Sequence, residues 1–144
     1  MFMLLQEKDI GADASVMITA SHLPYNKNGL KFFLPSGGLE GKDISEILAL
    51  AAEGKSLSGK QGTVRKQSYI GRYSENLVKF VREKTGEEKP LRGKKIIVDA
   101  GNGAGGFYVE KVLKPLGADT EGSQFLEPDG RFPNHIPNPE NKAA

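Results

Sequence analysis

The chain has 144 residues, of which 38% are hydrophobic, so its length suits one ordinary domain or two small ones rather than a large multidomain enzyme. Lys and Arg number 20 against 18 Asp and Glu, and this balance gives no reason to expect a nucleic-acid partner. The absence of cysteine excludes a disulfide framework and a thiolate metal site. Because the sequence contains neither a long apolar run nor a secretory signal, we expect a cytoplasmic protein without a membrane partner.

The first half of the chain is predicted to form two strands and a helix. Residues 15–20 make a short, partly β-branched run, and residues 29–34 make a second apolar run that ends at a Pro-Ser-Gly-Gly turn. The loop over 21–28 joins the two runs, so we expect a hairpin-like pair of strands. Asp43 is predicted to cap a helix whose apolar residues recur at helical spacing until Gly54 ends it.

Residues 55–68 are predicted to connect two units. This stretch is rich in glycine and basic residues and has no acidic residue. The basic run from Lys55 to Arg72 could attract a sugar phosphate or a nucleic-acid backbone, but its glycine content favours a solvated connection. The predicted domains are therefore 1–54 and 69–144.

The second unit is predicted to begin with an amphipathic helix over 69–84 that ends at Gly86. The elements expected after it, in chain order, are a strand over 95–100, a glycine loop over 101–106, a helix over 107–116 and a strand over 119–126. These make the first half of a βαβ unit, although Pro115 is awkward in the last turn of its helix. The predicted fold class is α/β, with partial mixed sheets flanked by helices.

Three side chains around the first loop are candidates for nucleophilic or phosphoryl-transfer chemistry. Ser21 offers a hydroxyl, His22 a neighbouring base, and Lys31 a cation within folding reach. A serine nucleophile requires activation, and a phosphoryl group in transfer requires positive charge around it. The alternative is that Ser21 makes turn hydrogen bonds while His22 and Lys31 are simply solvated.

Three segments resemble the α-D-phosphohexomutases, the family of phosphoglucomutases and phosphomannomutases. Residues 19–31, which begin Thr-Ala-Ser-His-Leu-Pro-Tyr-Asn, are similar to the family's phosphoserine loop. Residues 98–106 and 127–139 are similar to two segments of its second domain, in the same order. Leu23 stands where many members have Asn, but the Ser, His and Lys positions are kept. The resemblance implies two incomplete phosphohexomutase-type domains.

The resemblance also implies roles for the three candidates. Ser21 would be phosphorylated and would exchange its phosphoryl group with a hexose phosphate, interconverting the 1-phosphate and the 6-phosphate through a bisphosphate. His22 would be its neighbour in the catalytic loop, and Lys31 would assist proton transfer or neutralise charge. Mg²⁺ would bind through phosphorylated Ser21, with its other ligands absent from this chain. Hexose 1,6-bisphosphate would act as activator, and we expect the chain alone to be inactive and prone to self-association.

Two alternatives remain open. The pattern Gly101-x-Gly103-x-x-Gly106, with Asp119 further on, matches the dinucleotide fingerprint and would indicate a nicotinamide-dependent oxidoreductase. In the phosphohexomutase interpretation the same glycines form a tight turn that permits close packing. The other alternative is a non-catalytic binding or assembly module derived from a mutase. His135 is predicted to be structural or exposed rather than a metal ligand.

Overall fold

A computed structural model describes residues 1–54, 59, 61–138 and 140–142. The chain divides into a first unit, Met1–Thr19 with Gly29–Ser68, and a second unit, Ala20–Asn28 with Tyr69–Ala144. Helices and strands occur along the chain, and the predicted α/β class is confirmed. Across the described ranges, no helix combines the length and the apolar character needed to cross a membrane.

The first unit contains a three-stranded antiparallel sheet. Its strands are β1 (Ser15–Ile18), β2 (Leu30–Leu34) and β3 (Gly37–Gly38), and they lie side by side in that order. Ile18 pairs with Leu30 at the end of the hairpin where the loop begins. The predicted hairpin-like pair is therefore confirmed, with β1 two residues shorter and β2 one residue shorter than the apolar runs.

Two helices accompany this sheet, α1 (Phe2–Leu5) and α2 (Gly41–Glu53). The cap of α2 is Glu40, so the prediction that Asp43 caps the helix is wrong. Asp43 lies three residues inside, and its carboxylate accepts a hydrogen bond from the Glu40 N–H at 3.0 Å. A carboxylate in the first turn can reach back in this way because the first N–H groups of a helix have no partner within it.

The first unit buries few of its described apolar side chains. The most buried is Leu5 at 7% exposure, whereas Ile18 at the end of β1 is 75% exposed. Ser15 opens β1 and is also 7% exposed, and its Oγ has no hydrogen-bond partner within the described part of the chain. A buried hydroxyl without a partner destabilises the fold around it.

The second unit is organised around α3 (Ile70–Thr85), which ends at Gly86 with φ 71°, as predicted. A left-handed residue after a helix is the position where glycine is favoured, because a Cβ there is strained. Val78 on α3 packs in one cluster with Val112 and Leu116, and the half-buried residues around this cluster are Leu77, Val81, Leu91 and Tyr108. This cluster is the core of the unit.

The predicted strands over 95–100 and 119–126 run parallel but are not continuous. They pair at two isolated positions, Lys95 with Asp119 and Asp99 with Gln124. Between these positions the chain turns, with the Ser123 N–H donating to the Thr120 carbonyl at 3.1 Å. The Ser123 hydroxyl then accepts the Val98 N–H at 3.1 Å, in place of a backbone carbonyl. The turn at 120–123 thus interrupts the ladder that the apolar pattern predicts.

The helix predicted over 107–116 is present, but its described core, Val109–Leu113, is a π-helix rather than an α-helix. Its wide turn is shown by the Lys114 N–H, which donates to the Val109 carbonyl five residues earlier at 3.1 Å. Pro115 explains the difference, because it has no N–H to donate and its ring would crowd the carbonyl four residues back in an α-helix. Leu116 follows at 2% exposure.

Part of the predicted connection over 55–68 lies outside the described residues. Residues 55–58 and 60 belong to that part, including Lys55 and Lys60 of the basic run. Residues 61–69 are described and have no helix or strand before α3 begins.

Candidate functional site

The first candidate site is the loop over 20–28. The Thr19 N–H donates to the Gly29 carbonyl at 2.9 Å, which closes the hairpin just before the loop. Within the loop, residues 20–23 and 24–27 each form a turn closed by a backbone hydrogen bond, of 3.1 Å and 2.9 Å. Two consecutive turns give the loop a defined path, so its side chains project from specific positions.

Ser21 has a left-handed backbone conformation, with φ 60°. Residues other than glycine avoid this region because their Cβ crowds the backbone, at a cost of about 1–3 kcal/mol. Ser21 is exposed. The surrounding loop must therefore hold Ser21 in this conformation.

Ser21 and His22 are brought together as predicted. Ser21 Oγ lies 3.2 Å from His22 Nδ1, within hydrogen-bonding distance. When Nε2 carries the ring proton, Nδ1 accepts the hydrogen bond from the serine hydroxyl. A base that accepts a hydrogen bond from a serine hydroxyl can activate that hydroxyl as a nucleophile.

The third predicted residue, Lys31, lies on β2 and is exposed. Lys31 pairs with Met17 of β1. Lys31 lies two residues after Gly29, where the chain leaves the loop and enters β2. Its assignment as the cation of the site rests on sequence and stays a prediction.

The described residues do not form a complete Mg²⁺ site. In the ranges that the structure covers, no three His, Asp or Glu side chains are grouped closely enough to hold a metal ion. The Asp129 carboxylate is already hydrogen-bonded to Arg131, whose Nε and Nη2 donate to its two oxygens at 3.2 and 3.1 Å. These hydrogen bonds lower the pKa of Asp129. Ser21 would supply a single oxygen ligand, whereas Mg²⁺ takes an octahedral set of ligands.

The glycine turn over 101–106 is filled by the chain itself. A Cβ on Gly101 would lie 2.8 Å from His135 Cε1, and one on Gly106 would lie 1.8 Å from the Leu126 carbonyl oxygen. The first and third glycines of the dinucleotide pattern are therefore required by contacts within the second unit, as the close-packing interpretation predicts.

Three backbone donors of this turn are also used internally. The N–H groups of Gly101, Asn102 and Gly103 donate to the Asp99 carboxylate, the Phe125 carbonyl and the Ala100 carbonyl, at 2.8, 2.8 and 2.7 Å. A dinucleotide pyrophosphate needs such N–H groups free to bind it. The N–H groups of Gly101, Asn102 and Gly103 are therefore not free for such a ligand.

Asn102 holds the turn to the segment that follows Gln124, a role that sequence reasoning missed. It is 9% exposed and has φ 58°. Its Nδ2 donates to the Glu127 carbonyl at 2.9 Å, and its Oδ1 accepts from Asn134 Nδ2 at 2.6 Å. Its backbone carbonyl accepts the Asp129 N–H at 2.8 Å. The sequence feature that could have indicated this role is an Asn between two glycines, a position suited to a left-handed conformation.

His135, which is predicted to be structural or exposed, has Asp99 as a hydrogen-bond partner, 36 residues earlier. His135 Nε2 lies 3.1 Å from Asp99 Oδ1, and its Nδ1 lies 3.0 Å from the Ile136 carbonyl oxygen. The hydrogen bond with Asp99 raises the pKa of His135, and that with His135 lowers the pKa of Asp99. Spacing in the sequence gives no signal for this pair.

Family models match both halves of the chain. The model for phosphoglucomutase/phosphomannomutase alpha/beta/alpha domain I matches residues 2–58, and the model for domain II matches residues 71–144. A phosphoglucomutase of Neisseria gonorrhoeae is 39% identical over 127 residues, which are 88% of this chain and 26% of that protein. A phosphomannomutase of Escherichia coli is 34% identical over 141 residues, covering 90% of this chain and 30% of that protein.

A solved structure agrees with these relatives. A phosphoglucomutase/phosphomannomutase family protein from Burkholderia thailandensis matches with a TM-score of 0.74 at 30% identity, over 90% of this chain and 26% of that chain. The chain thus spans about a quarter of the length of the relatives it matches. On these matches in both halves, the chain belongs to the phosphoglucomutase/phosphomannomutase family.

Proposed function

We propose that this chain carries the phosphoserine of a phosphohexomutase, an isomerase that interconverts hexose 1-phosphate and hexose 6-phosphate. The observation that carries the proposal is Ser21, held at φ 60° with its Oγ 3.2 Å from His22 Nδ1, in a chain of this family. Two relatives named as a phosphoglucomutase and a phosphomannomutase support a sugar-phosphate substrate.

The proposed chemistry consists of two phosphoryl transfers. Phosphorylated Ser21 donates its phosphoryl group to the free hydroxyl of the hexose monophosphate, which gives a bisphosphate and a free serine. The phosphoryl group at the other sugar position then returns to the Ser21 oxygen, so the serine is phosphorylated again and the isomeric monophosphate leaves. In this scheme His22 gives a proton to the leaving Ser21 oxygen in the first transfer and accepts it from the Ser21 hydroxyl in the second. Lys31 assists the transfer of the sugar hydroxyl's proton, which returns to the sugar oxygen that leaves in the second transfer, or neutralises charge on the phosphoryl oxygens.

The cofactor and the activator follow from the same proposal. Mg²⁺ would bind through phosphorylated Ser21, and its remaining ligands would come from outside this chain, because the described residues supply no cluster for it. Hexose 1,6-bisphosphate would phosphorylate Ser21 at the start of turnover. Since the chain spans about a quarter of its relatives, we expect no turnover by the chain alone.

Self-association is part of this proposal for the chain on its own. β1 is an outer strand of the sheet, and its residue Ile18 is 75% exposed. An outer strand with exposed apolar side chains can pair with the same strand of a second copy.

Transfer of label to the serine tests the proposal directly. A protein of family length that contains these residues is incubated with Mg²⁺ and hexose 1,6-bisphosphate carrying radioactive phosphorus, and the labelled residue is located by peptide mapping. We expect label on Ser21 and none in the Ser21→Ala variant. Ser36→Ala is the matched control, because Ser36 is an exposed serine in the turn between β2 and β3.

Catalysis is tested in a protein of family length that contains these residues. Ser21→Ala is expected to lower mutase activity by several orders of magnitude, while Ser36→Ala retains it. Full activity of the Ser21→Ala variant would refute Ser21 as the phosphoryl carrier. A protein of family length that takes no label, and that binds a partner equally well before and after the Ser21→Ala substitution, would favour the non-catalytic module.

A further inference from the structure

Both ring nitrogens of His135 lie within hydrogen-bonding distance of an acceptor oxygen. Nε2 lies 3.1 Å from a carboxylate oxygen of Asp99, and Nδ1 lies 3.0 Å from the carbonyl oxygen of Ile136. A carbonyl oxygen and a carboxylate oxygen both accept hydrogen bonds, so each ring nitrogen must donate for both bonds to form. Only the doubly protonated imidazolium donates from both nitrogens.

Several segments of the chain contribute the groups that lie around the His135 ring. The end of the 95–100 segment contributes Asp99, the glycine turn contributes the Gly101 backbone, and Phe125 presents its ring edge-on at 5.7 Å between centroids. The ring's own segment contributes the Ile136 carbonyl. Among the described residues, Asp99 is the one charged group that acts on His135. The ring charge is therefore balanced by a single carboxylate.

The same ring joins two segments that are far apart in sequence. Asp99 ends the first parallel segment, whereas His135 belongs to the Pro- and Asn-rich segment over 127–138. The neighbouring contacts between these segments run through Asn102, which bonds the Asn134 side chain and the Asp129 N–H. None of those bonded groups changes its charge near neutral pH. Among these contacts, His135 is therefore the group through which a change of pH can weaken the attachment of one segment to the other.

We propose that His135 is a proton-dependent latch, which as an imidazolium between Asp99 and Ile136 fastens the segment over 127–138 to the glycine turn over 101–106. Loss of the ring proton removes one of the two donors and the charge that faces Asp99. One of the two hydrogen bonds is then lost, and the remaining contact with the carboxylate is no longer assisted by a charge on the ring.

The direction of the pH dependence follows from the two shifted groups. The pKa of His135 is raised above its usual 6.5, so its contribution is fully present below that value and is lost as pH rises through the raised pKa. The pKa of Asp99 is lowered below its usual 3.8, so its contribution is present above that value and is lost as pH falls through the lowered pKa. The latch is therefore strongest in mildly acidic solution and opens on the alkaline side.

Nitrogen NMR of the histidine rings tests the protonation state. The chain has two histidines, so His22 serves as an internal reference in the same spectrum. At about pH 6 we expect both ring nitrogens of His135 to carry a proton, and we expect Asp99→Asn to move the His135 titration to lower pH without changing the His22 ring signals at about pH 6. A His135 ring with one proton at that pH would overturn the proposal.

Amide hydrogen exchange tests whether the segment over 127–138 is held less firmly once the His135 ring loses its proton. The Asp129 N–H donates to the Asn102 carbonyl at 2.8 Å and reports whether the segment is fastened. Between about pH 6 and about pH 8 its protection factor, corrected for intrinsic exchange, is expected to fall several-fold. The Gly86 N–H, which closes α3 on the Arg82 carbonyl, is expected to keep its protection factor.

A variant separates the latch from a merely structural contact. In His135→Gln the protection factor of the Asp129 N–H is expected to be independent of pH over the same range, because glutamine does not titrate. A pH dependence that persists in this variant, or a protection factor in the unmodified chain that does not change with pH, refutes the latch. Should His135→Gln fail to fold, the ring titrations of the unmodified chain and of Asp99→Asn decide the question.

Discussion

Replacement of Gly106 by alanine is the sharpest test of how the second unit is built. A Cβ at this position would lie 1.8 Å from the carbonyl oxygen of Leu126 and 2.6 Å from its carbonyl carbon. Contacts of a Cβ below 3.0 Å essentially do not occur, so the oxygen must retreat by about 1.2 Å. The atoms are backbone, and they cannot be moved aside by a change of rotamer.

The cost follows from what holds Leu126 in place. The carbonyls on either side of it, those of Phe125 and Glu127, accept hydrogen bonds of 2.8 and 2.9 Å from the backbone and the side chain of Asn102. A retreat of Leu126 strains or breaks both bonds, each worth about 1 kcal/mol, and leaves buried donors of Asn102 unpaired at about 1–3 kcal/mol. We therefore expect Gly106→Ala to lower the free energy of unfolding of the second unit by about 3 kcal/mol or more.

Urea denaturation followed by circular dichroism, with an NMR probe in α3, measures this loss. Gly105→Ala is the matched control, because a Cβ at Gly105 meets no atom within 4 Å and its φ is not positive. Alanine there is expected to be neutral or to stabilise by up to about 1 kcal/mol. If Gly106→Ala and Gly105→Ala unfold at the same urea concentration, the packing of Gly106 against Leu126 does not exist as described.

Three further predictions concern other parts of the chain. Ser15→Ala is expected to raise the free energy of unfolding of the first unit by about 1 kcal/mol, because it removes a buried hydroxyl without a partner among the described residues; a lower denaturation midpoint would contradict this. The hydrogen bond between the hydroxyls of Tyr73 and Tyr108, 3.0 Å long, raises the pKa of Tyr108, so Tyr73→Phe is expected to shift the Tyr108 titration to lower pH in an NMR experiment. Sedimentation velocity is expected to show species larger than a monomer, reduced by Ile18→Lys on the outer strand and not by Leu48→Lys on α2; a compact monomer at high concentration would refute self-association.

Sequence patterns predicted the elements whose hydrogen bonds are local or whose pairing partner is close in the chain. The apolar stripe and the closing Gly86 predicted α3, and two apolar runs around one loop predicted the pairing of β1 with β2. The α/β class followed from the same patterns. These features depend on neighbours a few residues apart, and that information is contained in a short window of sequence.

The predictions failed where a distant side chain replaced a backbone partner. The hydroxyl of Ser123 takes the N–H of Val98, so the strand over 95–100 is not continuous although its apolar run is typical of one. Asp99 meets His135 across 36 residues, and no spacing rule connects them. At the first site, adjacency suggested the contact of Ser21 with His22, but the left-handed conformation of Ser21 depends on how the loop folds and was not foreseen.

The π-helix at Val109–Leu113 is a place where the chain can gain or lose one residue. A turn closed five residues apart contains one residue more than the same turn of an α-helix. Removal of one exposed residue, such as Lys111, would take out this extra residue while the glycine turn before it and the buried Leu116 after it remain in place. Natural insertions and deletions of a single residue in this unit should therefore be found at this turn.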